Sequence, residues 1–312
     1  MLFRSGTNNV GDGIGRLYIL DAVSGALLQT VATSAGSTTA PNNLGRLNAW
    51  VASETDNTAM RYYAGDMQGS LWRFDPDDRV EPSGAEAVRL GRALDATGNA
   101  QPITDMPMLT ENTSTSGVKV AIITFGTGRL VNTGDLSSTG VQSIYAIKDA
   151  LQSSGIGGSG ATQVALRDTA SNLVKQTLNA DRTISPASAV DWTAQNGWYV
   201  DLLLSAGERA VLDGVPLGDG VIAYASSVPN SDPCSGGGTS YLYQFTVGSG
   251  ALAAKTLSYG SLLVGIGRIV DSNGKVSVVT TQRNQALSLA AAGSGGSSKS
   301  TRARRTAWRE LQ

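Results

Sequence analysis

Apolar residues along this chain fall in short runs, alternating or continuous, that are closed by Gly, Asn, Asp and Ser. Period-two patterning of this kind predicts strands. It predicts them at residues 16–20 (RLYIL), 61–65 (RYYAG), 120–126 (VAIITFG), 221–226 (VIAYAS) and 276–280 (VSVVT). Helical spacing is scarce, and the pattern predicts one short helix over 162–178 from Val164, Leu166, Leu173 and Val174.

The strands follow a recurring grammar of small residues, a Gly-containing turn, then an aromatic-centred strand often closed by Asp. The clearest copy is Tyr62 to Asp75, YYAGDMQGSLWRFD, and weaker copies are centred on Tyr18, Tyr145 and Tyr243. From Tyr18 through Trp72 and Tyr145 to Tyr243 the anchoring aromatics lie 54, 73 and 98 residues apart, which reads as a repeated blade with growing insertions. A hairpin with a large aromatic on its inner strand cannot bury that face alone and must stack on similar units. Radial repetition of small sheets leaves short, protected edges. The predicted fold is therefore all-β, a modified β-propeller with irregular insertions and at most one or two short helices. A β-sandwich or two packed sheets is the alternative.

Composition narrows the chemistry. The 312 residues include 38 Gly, no His and one Cys, Cys234, with a formal net charge of −1. Without His there is no Ser-His-Asp triad, no imidazole base and no His-ligated metal. One Cys makes neither an internal disulfide nor a thiolate cluster. The near-neutral balance gives no field to hold phosphate backbones, so no nucleic-acid partner is expected. No apolar stretch is long enough for a membrane span.

Candidate sites are few. Asp66 to Trp72 is similar to the Asp-box of sialidases, but its Asp-to-Gly spacing is one residue too long, and Asp66 reads as a turn residue. Gly11-Asp12-Gly13-Ile14-Gly15 precedes a strand, whereas phosphate-cradling loops follow a strand and open a helix. Asp201, Glu208, Asp213 and Asp219 are candidate glycosidase carboxylates, yet all lie beside turn-forming residues and read as solvated loop groups. Asp271 to Lys275 reads as a hairpin turn rather than a calcium loop. No catalytic residue or bound cofactor is expected.

The predicted organisation is a propeller over 1–290, a Gly/Ser and basic linker over 291–305 with Arg302, Arg304 and Arg305, and a segment 306–312 that docks back through Trp308 and Leu311. A strand so close to Met1 suggests that the chain starts inside a domain of a longer protein.

Several segments together carry a resemblance. YYAGDMQGSLWRFD (62–75), TFGTGRLVNTGDLSSTGVQSIYAIKD (124–149), GWYVDLLLSAGERAVLDGVPLGDGVIAYASSVPNSDPCSGGGTSYLYQF (197–245) and RRTAWREL (304–311) resemble, in order, the C-terminal domain of the PilC/PilY-type tip proteins of type IV pili. The resemblance implies a modified β-propeller in an exported, non-enzymatic protein of the bacterial surface, found at the pilus tip or in transit through the periplasm and outer membrane. It implies roles in pilus assembly against retraction, twitching motility and adhesion. The implied partners are minor pilins and, through the full-length protein, host or abiotic surfaces.

The family often carries a calcium loop, D-x-[DN]-x-[DN]-x-x-x-D, just before the YAGD strand. The matching positions are Ala52, Glu54, Asp56 and Met60, so the first and last carboxylates are absent. Glu54 and Asp56, with the Thr58 carbonyl, are too few for tight binding of an ion that takes about 6–8 oxygens, and the expectation is a lost or weak site. Cys234 sits where the family often has Cys, either paired outside this sequence or alone. Two other readings stand beside the pilus role. One is a quinoprotein-like dehydrogenase, from the G-x-L-Y-x-x-D-x-x-x-G cadence of 15–25; the other is a sugar-binding propeller.

Overall fold

Small, turn-prone residues cut the apolar runs into short strands, and hydrogen bonding gathers consecutive strands into separate sheets. The computed structural model describes residues 2–6, 11–51, 53, 55–56, 58–76, 86–113, 119–230 and 237–294. The first sheet holds β1 (Leu2–Arg4), β2 (Arg16–Leu20) and β3 (Leu27–Ala32) in that order. The second holds β4 (Leu47–Val51), β5 (Ala59–Gly65), β6 (Ser70–Phe74) and β7 (Ala87–Arg92), again in chain order. The third comprises β8 (Met108–Thr113), β9 (Lys119–Gly126), β10 (Ser143–Asp149), β11 (Leu173–Gln176) and β12 (Gly197–Asp201). There β12 inserts between β10 and β11, and β11 runs parallel to it. The fourth holds β13 (Val215–Gly218), β14 (Val221–Pro229), β15 (Gly238–Thr246) and β16 (Leu257–Tyr259). The fifth holds β17 (Leu263–Val270), β18 (Val276–Gln282) and β19 (Leu287–Ala291).

Each sheet is thus drawn from one contiguous stretch of chain, as radial repetition requires. The aromatic anchors mark interior strands of four different sheets: Tyr18 on β2, Trp72 on β6, Tyr145 on β10 and Tyr243 on β15. Trp72, Tyr145 and Tyr243 are fully buried. The fifth sheet has no aromatic residue, so the aromatic grammar did not reveal it as a blade.

The apolar core lies between the sheets. Leu17 and Val31 of the first sheet meet Ala64, Trp72 and Phe74 of the second. Tyr63 and Leu71 of the second meet Ile123, Phe125 and Tyr145 of the third. Trp198 and Val200 of the third meet Ile222, Tyr224 and Phe245 of the fourth. Leu217 and Leu242 of the fourth meet Val278 and Ala290 of the fifth. The terminal sheets leave apolar side chains in solvent: Leu27 and Leu28 on β3, Ile269 and Val270 on β17, and Leu287 and Leu289 on β19.

The helix predicted over 162–178 does not form. That stretch holds two single-turn 3₁₀ segments, Gly160–Thr162 and Thr169–Ser171, followed by β11. The reason is competition from the neighbouring chain: the Val164 and Leu166 amides donate to the Gly157 and Arg92 carbonyls, and Asn172 turns left-handed at φ 52°. With Thr133–Ser137, these 3₁₀ segments are the helical content of the described residues. Gly197 opens β12 at φ 137°, where a Cβ would lie 2.0 Å from the Ala146 carbonyl oxygen, so no other residue fits without moving β10.

Trp198 anchors the joint between the third and fourth sheets. Its ring lies 5.5 Å from that of Phe245, and its Nε1 donates to the Val247 carbonyl at 2.7 Å. Replacing it by alanine removes the ring and leaves a cavity, and Trp198→Ala is expected to lower the free energy of unfolding by about 3–5 kcal/mol. Urea denaturation followed by circular dichroism measures the loss.

Candidate functional site

The connection between β4 and β5 carries the positions aligned with the family calcium loop. Ala52 and Glu54 lie outside the described residues. Asp56 is exposed, and its amide donates to Ser53 Oγ at 2.9 Å while its carbonyl accepts the Ser53 amide at 3.2 Å. Its Oδ1 accepts the Thr58 amide at 2.9 Å. The Asp56 side chain therefore closes the turn by an Asx-type bond. Ala52 and Met60 bring no side-chain oxygen, and this donor set does not fit an ion that needs several hard ligands. Among the described residues no three His, Cys, Asp or Glu side chains are grouped to hold a metal. Cys234 and residues 295–312, which include the basic tail and Trp308, lie outside the described residues.

The four loop carboxylates behave differently from one another. Asp201 and Glu208 are buried rather than solvated, which corrects the sequence expectation. Asp201 accepts Ser143 Oγ at 2.7 Å and Arg167 Nη2 at 2.6 Å. Glu208 takes Arg182 Nη1 at 2.9 Å on each oxygen, and its Oε1 also accepts the hydroxyls of Ser226 at 2.6 Å and Tyr243 at 2.8 Å. The physical reason lies far along the chain, in arginines that cancel the charge. Asp213 is half-buried and paired with Arg46, while Asp219 stays exposed in the β13–β14 turn at φ 48°. Sequence reasoning also missed a buried network between the second and third sheets, in which Arg73 Nη1 and the Tyr63 hydroxyl donate to Asp149 at 2.8 Å each.

The turns read from the sequence are present. Asp12 Oδ1 accepts the Ile14 amide ahead of β2, and Asp271 Oδ1 accepts the amides of Asn273 and Lys275 between β17 and β18. Asp66 is a turn residue with a second role. Its Oδ1 accepts the amides of Gln68 and Ser70, and its Oδ2 takes Trp72 Nε1 at 2.7 Å and Asn42 Nδ2 at 2.6 Å. Burial pushes its carboxyl up to about 6, against the pull of these four donors.

All five sheets converge on one cavity of about 420 Å³. Arg4 reaches it from the end of β1, Arg46 from the lead-in to β4, Leu130 and Val131 from the connection after β9, Leu212 from the lead-in to β13, and Val264 from β17. This convergence places the cavity on the propeller axis. Arg46 Nη1 pairs with Asp213 Oδ2 at 2.7 Å, and Asp213 Oδ1 accepts the Met106 amide at 2.7 Å. Beside them Asp105 is fully buried, with Oδ2 accepting the Gly126 amide and Oδ1 unpartnered. Burial, reinforced by Asp213, holds its carboxyl well above the usual range and favours the neutral acid. Arg4 Nη1 donates to the Leu44 carbonyl at 2.9 Å, and burial followed by the charge of Arg46 lowers its affinity for its proton.

Comparison with known proteins adds relatives to this geometry. The family model of the PilY1 beta-propeller domain matches residues 4–189, which span the first two sheets and most of the third. The type IV pilus biogenesis factor PilY1 of Pseudomonas aeruginosa strain PAO1 is 30% identical over 268 residues, covering 73% of this chain and 22% of that protein. A PilY1 homolog of Xylella fastidiosa is 29% identical over 251 residues, covering 78% of this chain and 18% of that protein. The chain thus spans about a fifth of the length of the curated relatives it matches. The crystal structure of the Pseudomonas aeruginosa PilY1 C-terminal domain superposes with a TM-score of 0.70 at 22% identity, over 93% of this chain and 68% of that one, which shows a shared fold.

The Asp66 environment predicts an inverted pH response. The unfolded chain releases the Asp66 proton near pH 4, whereas the folded protein keeps it to about pH 6. The contribution of Asp66 is therefore greatest below about pH 4 and falls by up to about 3 kcal/mol as pH rises through 6. Comparing unfolding free energies of wild type and Asp66→Asn from pH 4 to about 7 checks this: the variant is expected to lose that downward slope.

Proposed function

The chain belongs to the PilY1 β-propeller family, and from that premise we propose that it is the propeller module of a type IV pilus biogenesis factor, exported to the bacterial surface and acting at the pilus tip. The observation that carries this reading is the propeller-family match over residues 4–189, together with 30% identity to a type IV pilus biogenesis factor over 73% of the chain. The module supports pilus assembly by opposing retraction, and thereby twitching and adhesion, through contacts with minor pilins and, in the full-length protein, with a host or abiotic surface. The function is contact rather than catalysis. In support, three of the candidate carboxylates, Asp201, Glu208 and Asp213, are each held by arginine. Among the described residues no helix is long and apolar enough to cross a membrane.

Deleting the region that encodes this propeller from a piliated host is expected to reduce surface pili and twitching. Surface pili should return when the retraction motor is also removed, because a factor that opposes retraction becomes dispensable without it. Electron microscopy of sheared pili and stab-agar motility measure both effects, and unchanged piliation after the first deletion would overturn the proposal.

Hydrogen bonds among Ser53, Asp56 and Thr58 close the β4–β5 loop, which supports the reading that it binds calcium weakly or not at all and that calcium does not control the module through it. Calorimetric titration is expected to give no submicromolar calcium binding. The double variant Ala52→Asp, Met60→Asp restores both missing carboxylates and is expected to tighten binding at least tenfold, equivalent to about 1.4 kcal/mol. Submicromolar binding to the unmodified chain contradicts this account of the loop.

A further inference from the structure

The axial cavity gathers two guanidinium groups, and the carboxylate of Asp213 is paired with one of them. Asp213 accepts Arg46 on one oxygen and the Met106 amide on the other, and it makes no ion pair with Arg4. Asp105 is the next acid, and its burial favours the neutral form. Among the described residues Arg4 has the Leu44 carbonyl as its hydrogen-bond partner and no carboxylate. A half-buried cation beside a second cation is an unfavourable arrangement that a bound anion relieves. Beside the two arginines the lining is mostly aliphatic, with Leu130, Val131, Leu212 and Val264, and its two hydroxyl residues are Thr104, bonded to the Gly128 carbonyl, and Ser227, paired with Ser240. Val131 and Val264 are 57% and 53% exposed, so apolar surface stands open beside the charge.

The volume of about 420 Å³ lies within the range of small-ligand pockets, about 300–1,000 Å³. A guanidinium matches a carboxylate through two parallel N–H donors. Valine and leucine walls match an aliphatic body, and with Thr104 and Ser227 already hydrogen-bonded they leave few groups for the hydroxyls of a sugar. We propose that the axial cavity is a binding site for a carboxylate carried on a short aliphatic body, with Arg4 as its principal ligand and Arg46 as the second positive charge. Such a group is presented either by a free aliphatic acid or by the C-terminus of a polypeptide ending in aliphatic residues.

Isothermal titration of the whole chain with octanoate, with acetyl-Leu-Val bearing a free carboxylate, and with the same dipeptide as its amide tests the proposal. Binding of octanoate or of the free-acid dipeptide is expected, with the amide at least tenfold weaker. Tighter binding of octanoate assigns a free acid, and tighter binding of the dipeptide assigns a chain terminus. Arg4→Gln is expected to weaken binding at least tenfold without a change in thermal midpoint, while Arg4→Lys retains part of it and Arg268→Gln, on exposed β17, leaves it unchanged. Should Arg4→Gln fail to fold, the amide comparison and Arg4→Lys carry the test. No binding of either acid at millimolar concentration, equal binding of the amide, full retention in folded Arg4→Gln, or equal displacement by inorganic phosphate would each overturn it.

Discussion

Strands that are buried on both faces impose the constraint from which the rest of this structure follows. Every residue of β6, Ser70 to Phe74, is buried, as is every residue of β12, Gly197 to Asp201. A single sheet on water can bury one face at most, so such strands require a neighbouring sheet on each side. Stacking consecutive sheets around an axis meets that requirement with short connections. The terminal sheets, with one described neighbour each, are where Leu28, Ile269 and Leu289 remain exposed.

Double-faced burial also explains the ion pairs. A strand such as SLWRF still has to pass polar residues through the interior, and an isolated buried charge costs several kcal/mol. Arg73 on β6 is accordingly met by Asp149 at the end of β10, 76 residues away. Arg167 crosses to Asp201, and Arg182 to Glu208. Pairs of this kind add little net stability compared with well-packed apolar residues. Their contribution is alignment: the Arg73–Asp149 pair forms in one relative placement of the second and third sheets, and a slip of one residue would strand both charges.

The division between what was readable in the sequence and what was not follows the range of the forces involved. Turns at Asp12, Asp66 and Asp271 were legible because an Asx bond reaches two to four residues along the chain. The strands around Tyr18, Trp72, Tyr145 and Tyr243 were legible because alternation is local. The stretch 162–178 misled because its few apolar residues pack sideways: a Cβ on Gly91 would lie 2.4 Å from Leu166, and that contact is invisible in the order of residues. Asp201 and Glu208 were misread for the same reason, since their cancelling arginines lie 34 and 26 residues away. The fifth sheet, built on Val, Ile and Leu, shows that the aromatic anchor is a common filling of a blade rather than its cause.

The axis is the extreme case of long-range assembly. Arg4, Arg46, Leu130, Leu212 and Val264 are spread over most of the described chain, and none belongs to a local motif. A propeller brings them together because successive sheets present their inner edges to one centre, so any chain of this fold builds a cavity there whatever its sequence. What the cavity contains is then set by a handful of side chains free of the packing rules that govern β6 or β12. Fold and axial chemistry are therefore separable: at 22% identity the fold persists at a TM-score of 0.70, carried by burial pattern. The charge at the centre depends instead on Arg4, Arg46, Asp213 and the burial of Asp105, which favours its neutral form, and a few substitutions can change it without disturbing a blade.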